Sequence, residues 1–145
     1  MNIGLTKINL CMELFDWFTN IIKLNITQTF QPVARSGEFK IRHLGGIVFN
    51  PGVELGKNVD CLNGVLLGQI DCGAKAGVPV IGDNVFLGTN SMIVGRIQIG
   101  NDVLIAPGAY VNFDVPDHSI VIGNPGKIIA KENATKGYIA SPAED

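Results

Sequence analysis

Histidine, cysteine and aromatic residues are scarce in this 145-residue sequence. It has two histidines, three cysteines and one tryptophan, and aromatic residues make up 7%. Two histidines are too few for a three-histidine zinc site, so no metal is expected. Cys11, Cys61 and Cys72 are odd in number and lack paired spacing, which fits a reducing, cytoplasmic compartment better than a disulfide framework. The low aromatic content offers no stacking surface typical of a glycan-binding module.

Long basic runs and long apolar runs are also missing. Thirteen acidic and eleven basic side chains give a formal charge of −2, which provides no electrostatic footprint for nucleic acid. Residues 1 to 26 are apolar in places, but charged side chains interrupt them, so neither a membrane span nor a signal peptide is expected. The 46% of hydrophobic residues are enough for one folded domain.

A period of six residues dominates the middle of the chain. Aliphatic or similar residues recur at six-residue steps in two runs: Phe49, Leu55, Cys61 and Leu67, and then Ile81, Leu87, Ile93, Ile99, Ile105 and Val111. The position after this column is often glycine, and the position four after it is small or aliphatic. This is the hexapeptide pattern of a parallel β-helix.

Each hexapeptide is interpreted as a short strand and a corner, where Gly, Asn or Asp tolerates positive φ. Three hexapeptides close one triangular coil of about 18 residues, and coils stack as parallel sheets. An antiparallel sandwich would instead show alternation with a period of two. The observed period favours the β-helix, with three to four coils.

The segments outside the repeat give the predicted organisation. The step from Leu67 to Ile81 exceeds one hexapeptide by eight residues, so a stretch of that length within the predicted loop 69–80 leaves the coil. Residues 9–25 have helix-like apolar spacing, which predicts a helix within an N-terminal cap, 1–40. We expect the β-helix over 41–117 and a tail that folds back over 118–145, all in one structural domain.

Residues 79–129, "PVIGDNVFLGTNSMIVGRIQIGNDVLIAPGAYVNFDVPDHSIVIGNPGKII", resemble the closing coils and tail of hexapeptide-repeat acetyltransferases. The order of His43, "GVLLG" (64–68) and a glycine-rich loop is similar to the serine acetyltransferase branch. The resemblance covers roughly residues 41 to 130. The segment 1–40 does not match clearly, and we do not expect it to form the long helical N-terminal domain of typical serine acetyltransferases.

The resemblance implies an all-β, left-handed parallel β-helix that forms a homotrimer, with active sites between subunits and acetyl-CoA along the coil edge. It also implies that His43 is the general base that takes a proton from an acceptor hydroxyl. Imidazole chemistry agrees, because a side chain with an ordinary pKa of about 6.5 is well matched to that proton transfer. A capping or surface role for His43 is the alternative. His118, in "VPDHS", is expected to be structural.

Further site residues follow from the same resemblance. Gly68, Thr89, Pro107 and Lys127 match positions that bind the co-substrate, although Pro107 has no N–H to offer. Ordinary coil corners and a solvated lysine are the alternative interpretations. Acceptor binding is predicted for a group of polar residues in a corner and in the loop: Asn63, Asp71 and Lys75.

Two departures from the family pattern concern the acceptor and the base. Gly77 and Val78 stand where the family carries an Arg-His pair that is thought to hold the amino-acid substrate, which argues against L-serine as the acceptor. Arg42 replaces the acid that precedes the histidine. The residues that could orient His43 instead are Glu38, Glu54 and Asp60, or a backbone carbonyl.

The leading hypothesis is therefore an acetyl-CoA-dependent O-acetyltransferase that acts on a hydroxyl of a sugar or polysaccharide precursor by direct transfer. A divergent serine O-acetyltransferase, N-acetylation of an amino sugar and a non-catalytic trimeric scaffold remain open. A covalent acetyl-cysteine is not expected, because Cys61 occupies an inward slot of the repeat.

Overall fold

The computed structural model describes residues 33–34, 39–43 and 45–139, and every element in these ranges is a strand. The predicted helix within 9–25 lies outside them. The strands are β1 (Val33–Ala34), β2 (Phe39–Ile41), β3 (Val48–Phe49), β4 (Glu54–Leu55), β5 (Val59–Cys61), β6 (Leu66–Gly68), β7 (Val80–Ile81), β8 (Val85–Leu87), β9 (Met92–Val94), β10 (Gln98–Ile99), β11 (Val103–Ile105), β12 (Tyr110–Val111), β13 (Ser119–Ile122) and β14 (Lys127–Ala130). Over the described ranges, no helix of the length and apolarity needed to cross a membrane is found.

The strands form three sheets that wind around one interior. Sheet A contains β1, β4, β7 and β10; sheet B contains β2, β5, β8, β11, β13 and β14; sheet C contains β3, β6, β9 and β12. All pairings are parallel except that of β13 with β14. The chain therefore passes from sheet A to B to C in each coil, as the hexapeptide pattern predicts.

Strand register locates the insertion between coils. Val80 pairs with Gln98 in the next coil, and the interval between these partners is one regular coil. Glu54 pairs with Val80, and the interval between these two is longer than the regular one by eight residues. The additional residues belong to the excursion between β6 and β7, which ends at residue 79 because Val80 already lies in β7. The predicted eight-residue excursion is thus present.

The interior is filled by two sets of inward-pointing, mostly apolar side chains, each set from one position of the hexapeptide. The main column of the repeat is buried from Phe49 to Val111, with no member more than 6% exposed. The second, small column is fully buried: Val53, Val59, Val65, Val85, Ser91, Val103 and Ala109. Residues one coil apart are in register, as Phe49 is with Leu67, so each of these two sets forms a stack along each of the three sheets.

The glycines that directly follow the main column, such as Gly82, differ from the prediction in their physical role. Gly82 does not have a positive φ; instead, a Cβ there would lie 2.5 Å from the main-chain oxygen of Gly100 in the next coil. The positive φ falls two residues further on, at Asn84 and Asp102, with values of 53° and 52°. The glycine is therefore required by the close approach of stacked coils.

The C-terminal segment folds back over the outer face of sheet B. After the β13–β14 hairpin, residues 131–139 return along this face towards the earlier coils. Ala134 and Ile139 pack against the outward side chains of Phe86 and Leu104, and the Tyr138 ring lies 5.2 Å from that of Phe86. This tail therefore covers apolar surface that the β-helix interior cannot accommodate.

Candidate active site

One edge of the β-helix, where the chain turns from sheet B into sheet C, brings together most of the predicted catalytic and co-substrate residues. Its corners stack through main-chain hydrogen bonds from Gly64 N to Gly45 O, Asn90 N to Asn63 O, and Gly108 N to Thr89 O, at 3.0, 3.0 and 2.9 Å. We call this the B–C edge. The predicted residues on it are His43, Asn63, Thr89 and Pro107.

His43 lies in the first described corner of the B–C edge and is exposed. This corner is two residues longer than the one below it, because Phe39 pairs with Val59 but Val48 pairs with Leu66. The additional length includes Gly45 and Gly46, both with positive φ. The imidazole of His43 is therefore presented to solvent beside the stacked corners.

Asn63 and Thr89 are coupled on successive corners. The Thr89 hydroxyl donates a hydrogen bond of 3.2 Å to the side-chain oxygen of Asn63. Pro107 is exposed on the next corner, and a Cβ placed at the neighbouring Gly108 would meet nothing within 4 Å. The edge beyond His43 is therefore open and polar.

Lys127 lies at the C-terminal end of the same edge. It opens β14 directly after the 123–126 turn, which is tied to Tyr110 by main-chain hydrogen bonds of 3.0 and 2.9 Å. Its side chain is exposed. The B–C edge thus carries an imidazole in its first described corner and a cation at its far end, an arrangement that suits an elongated ligand with phosphate at one end.

The remaining predicted residues lie on a second edge, where sheet C turns into sheet A. Gly68 ends β6 there, and the loop forms a small hairpin in which Ile70 and Gly77 exchange main-chain hydrogen bonds of 3.0 and 2.8 Å. Asp71 is exposed and accepts a hydrogen bond from Gln69. We call this the C–A edge; within one chain, sheet C separates it from the B–C edge.

Lys75 fastens this loop rather than projecting freely. Its ammonium group donates a hydrogen bond to the main-chain carbonyl of Asn112, and its own carbonyl accepts one from Arg96 N at 2.9 Å. The loop is therefore held against the corners of two coils.

Arg96 is a candidate that sequence reasoning missed. Its side chain runs across Gly77, where an added Cβ would lie 3.0 Å from Arg96 Cβ, and its Nη2 atom donates to Ala74 O at 3.2 Å. The interval from Val78 to Arg96 equals the regular coil offset from Val80 to Gln98, so register alone would have placed Arg96 below the loop. A guanidinium therefore lies beside the position where the sequence lacks a cation.

The acids considered as partners of His43 are arranged differently. Asp60 accepts hydrogen bonds from the Arg42 guanidinium at 3.0 and 2.5 Å. Glu54 lies on β4 of sheet A, and Glu38 lies outside the described residues. Asp60 therefore supports the residue before His43.

Other features of the surface do not coincide with this site. A depression of about 520 Å³ is lined by Gln98, Asp114 and Asp117, among others, and its lining includes none of the predicted site residues. Over the described part of the chain, no group of three His, Cys, Asp or Glu side chains is arranged to hold a metal ion.

Comparison with known proteins gives consistent similarities. Residues 79–112 match the family model described as bacterial transferase hexapeptide (six repeats). Serine acetyltransferase 2 of Arabidopsis thaliana is 39% identical over 125 residues, which cover 78% of this chain and 39% of that protein. This chain thus spans well under half the length of that relative.

Two solved structures extend the similarity to three dimensions. Neisseria gonorrhoeae serine acetyltransferase in complex with serine shares 40% identity with a TM-score of 0.59, covering 67% of this chain and 40% of that one. Brucella abortus serine acetyltransferase in complex with coenzyme A shares 33% identity with a TM-score of 0.62, covering 68% and 40%. These similarities confirm the predicted left-handed parallel β-helix.

Proposed function

We propose that this chain, which matches the hexapeptide-repeat transferase model and resembles the serine acetyltransferases, transfers an acetyl group from acetyl-CoA to the hydroxyl of L-serine. The relatives described above are serine acetyltransferases, so they favour serine over the sugar or polysaccharide acceptor expected from the sequence. The observation that carries the proposal is the B–C edge, with His43 in its first described corner.

The B–C edge fits acetyl-CoA as co-substrate. Thr89 and the open corner at Gly108 leave room for an extended chain, and Lys127 supplies a positive charge for phosphate. When bound, acetyl-CoA supplies the activated acetyl group. The structure of a relative with coenzyme A supports this assignment.

His43 acts as the general base. As the serine hydroxyl oxygen forms the new ester bond and the thioester C–S bond breaks, the imidazole takes the hydroxyl proton and returns it to the departing sulfur. The imidazole ends unchanged, so no acetyl-enzyme is needed. Such a base contributes about 10²- to 10⁴-fold to a rate.

Arg96 supplies the positive charge that the sequence lacks at Gly77 and Val78. The guanidinium has five N–H donors, and the described structure uses one of them on the neutral carbonyl of Ala74. Donors therefore remain for a serine carboxylate, which a planar guanidinium binds well. This assignment removes the physical objection to serine raised by the two substituted loop positions.

The complete site is formed between copies of this chain in a homotrimer. His43 and Arg96 lie on different edges of one chain, with sheet C between them. The outer face of sheet C is apolar, with Leu66, Met92 and Tyr110 half-buried and Val48 56% exposed. Packing this face against a second copy would bury apolar surface and bring one chain's loop to the other's base. The free Cys61 and Cys72 fit a cytoplasmic location for this enzyme.

The test is acetyl transfer from acetyl-CoA, followed by mass spectrometry, to L-serine, L-serinamide, amino sugars and nucleotide sugars. We expect O-acetylserine, with a loss of about 10²-fold or more in His43→Ala. Arg96→Ala should abolish the preference for L-serine over L-serinamide, which lacks the carboxylate. The exposed Lys57, on a different edge, provides the control Lys57→Ala, which should keep that preference.

Other outcomes would overturn parts of this proposal. Transfer to a sugar hydroxyl but not to serine would restore the acceptor expected from the sequence. An unchanged serine preference in Arg96→Ala would remove Arg96 from the site. Full activity in His43→Ala would refute the base, and a monomeric mass in light scattering would refute the shared site.

A further inference from the structure

Arg42, the residue before His43, is held by three different groups. Its Nε and Nη2 atoms donate to Asp60 Oδ2 at 3.0 and 2.5 Å, and Nη2 also donates to the main-chain carbonyl of Tyr138 at 2.6 Å. Its own N–H donates to Cys61 O at 3.0 Å. Both the main chain and the side chain at this position are therefore fixed to the rest of the fold.

Asp60 gives this contact its strength. The residue is 1% exposed, and among the described residues its Oδ1 atom has no hydrogen-bond partner. It lies on the outer face of sheet B, in register with Lys40 on one side and Phe86 on the other. A buried carboxylate requires a compensating charge, so Asp60 holds the Arg42 guanidinium strongly in place.

Among its described residues, the corner that carries His43 has few other hydrogen bonds to the fold. It is two residues longer than the corner below it and includes Gly45 and Gly46. On its C-terminal side, Gly45 O accepts a hydrogen bond of 3.0 Å from Gly64 N. On its N-terminal side, the anchor is Arg42. The position of the imidazole therefore depends on how firmly Arg42 is held.

Tyr138 connects this anchor to the C-terminal tail. The carbonyl that caps Arg42 belongs to a residue whose ring packs on Phe86 at 5.2 Å, so the carbonyl is in place when the tail is docked. Docking of a segment far away in sequence thus bears directly on the residue beside the base.

We propose that Arg42 is a positioning residue, which holds the His43 corner through Asp60 and couples it to docking of the C-terminal tail. The catalytic part of this inference rests on the proposed role of His43. With the anchor intact, the imidazole lies where it can reach the acceptor hydroxyl. Without it, the corner moves and the base is misplaced, although the β-helix and the co-substrate edge remain.

The first test removes the pair without leaving a buried charge. The double variant Arg42→Met/Asp60→Leu replaces both partners with apolar groups, so its thermal stability should be close to that of the wild type. We expect kcat to fall about tenfold or more, because small misplacements of a catalytic group are costly, while KM for acetyl-CoA stays within about twofold. An unchanged kcat in a double variant of normal stability would overturn the proposal.

The second test removes the tail's contribution. A chain that ends at Gly137 lacks the Tyr138 carbonyl, whereas a matched control that ends at Ile139 retains it. We expect the shorter chain to lose kcat as the double variant does, and the control to match the full chain. Equal kcat values in the two truncated chains would refute the coupling to the tail.

A third readout is independent of turnover. The sequence has two histidines, and comparison with the spectrum of His43→Ala assigns the His43 imidazole signal in a carbon-proton NMR spectrum of the wild-type background, in which the tail anchor at His118 stays intact. In this background we expect the His43 signal to shift or broaden when the Arg42–Asp60 pair is removed, and an unchanged signal would refute the positioning role. If the wild type transfers acetyl to no acceptor, the proposed function fails, while this spectrum still decides the role of Arg42.

Discussion

The Nδ1 atom of His118 lies 2.8 Å from the Oδ2 atom of Asp102, and this pair anchors the start of the C-terminal tail. Asp102 also accepts hydrogen bonds from the main-chain N–H groups of Ala134 and Thr135 and from the Thr135 hydroxyl. One carboxylate therefore joins a coil corner to the returning segment. The expected structural role of His118 has a physical basis in this arrangement.

The His118 pair predicts a stability that depends on pH. The hydrogen bond to Asp102 raises the pKa of His118 above its ordinary 6.5 and outweighs an opposing effect of burial; the charges of Glu132, Asp102 and Asp117 add to the rise. Because the pKa of His118 is raised in the folded state, the protonated imidazole stabilises the folded protein below pH 6.5. This contribution disappears as the pH rises through the pKa that His118 has in the folded state.

Asp102 sets the lower limit of the pH range in which the His118–Asp102 pair stabilises the tail. Burial acts to raise its pKa, but hydrogen bonds from Thr135, His118 and Ala134 prevail and lower it from 3.8 to about 2. This contribution is present above pH 3.8 and is lost as the pH falls towards 2. Both groups therefore stabilise the tail between about pH 4 and pH 6.5.

The variant that isolates the charge is His118→Asn, because asparagine tolerates the φ of 54° at this position. We expect the Tm difference between wild type and variant to be largest near pH 5.5 and to shrink by pH 9. Thermal unfolding monitored by circular dichroism at both pH values measures it. A Tm difference that does not change with pH would show that the imidazolium is not the stabilising species.

The close approach of coils at Gly82 predicts a steric penalty for any side chain there. Gly82→Ala places a Cβ 2.5 Å from a main-chain oxygen of the next coil, which cannot move without shifting the stack. We expect a loss of about 1–3 kcal/mol in the free energy of unfolding.

A matched control for this glycine is Gly52→Ala. Its added Cβ would first meet a methyl group of Val78 at 3.3 Å, and a side chain can yield where a backbone cannot. The expected loss is therefore smaller. Equal losses in the two variants, measured by denaturant unfolding, would contradict the stacking explanation.

The sequence predicted the structure wherever each coil gives equivalent residues the same surroundings. Val53 and Leu55, and their equivalents in later coils, are buried because each coil presents the same triangular interior. A period of six therefore predicted both the fold and its core, and the break in the period predicted the loop. His43 could be singled out because it precedes the repeat and matches a family motif.

Contacts that occur at one place in the fold produce no periodic pattern in the sequence. The Arg42–Asp60 pair joins two coils diagonally, and the Tyr138 carbonyl that caps it belongs to a tail with no period. Arg96 was missed because Gly77 lies in the inserted loop, which the period of six does not describe, although the regular coil offset places Arg96 below the neighbouring Val78. These contacts determine the candidate site more than the repeat does, so the acceptor was harder to predict than the fold.

We expect the thiols of Cys61 and Cys72 to differ in their reactivity towards alkylating reagents. Burial, and secondarily the charge of Asp60, raise the pKa of the Cys61 thiol to about 12, whereas Cys72 is exposed in the loop. We expect iodoacetamide at pH 8 to modify Cys72 in the folded protein and Cys61 only after unfolding, as peptide mass spectrometry would show.

The same burial predicts that the thiol of Cys61 takes no part in catalysis. Cys61→Ala should retain kcat, because a protonated, fully buried sulfur cannot receive an acetyl group. Modification of Cys61 in the folded protein, or loss of turnover in a folded Cys61→Ala variant, would contradict this.

Ser91 predicts a stabilising substitution. It occupies the small inward column with 0% exposure, and its hydroxyl lacks a hydrogen-bond partner among the residues that the structure describes. A buried hydroxyl without a partner carries a desolvation cost that alanine does not. We therefore expect Ser91→Ala to raise the free energy of unfolding by about 1 kcal/mol, as measured by denaturant titration.

Ser119 is the matched opposite case. It is equally buried, but its hydroxyl donates a hydrogen bond of 3.2 Å to Asp117 O, so Ser119→Ala should lower the free energy of unfolding by about 1 kcal/mol. The two substitutions remove the same atom from sites of equal burial, so a difference in sign isolates the hydrogen bond. If both variants are destabilised alike, the Ser91 hydroxyl has a hydrogen-bond partner in solution, such as a water molecule in the interior of this coil.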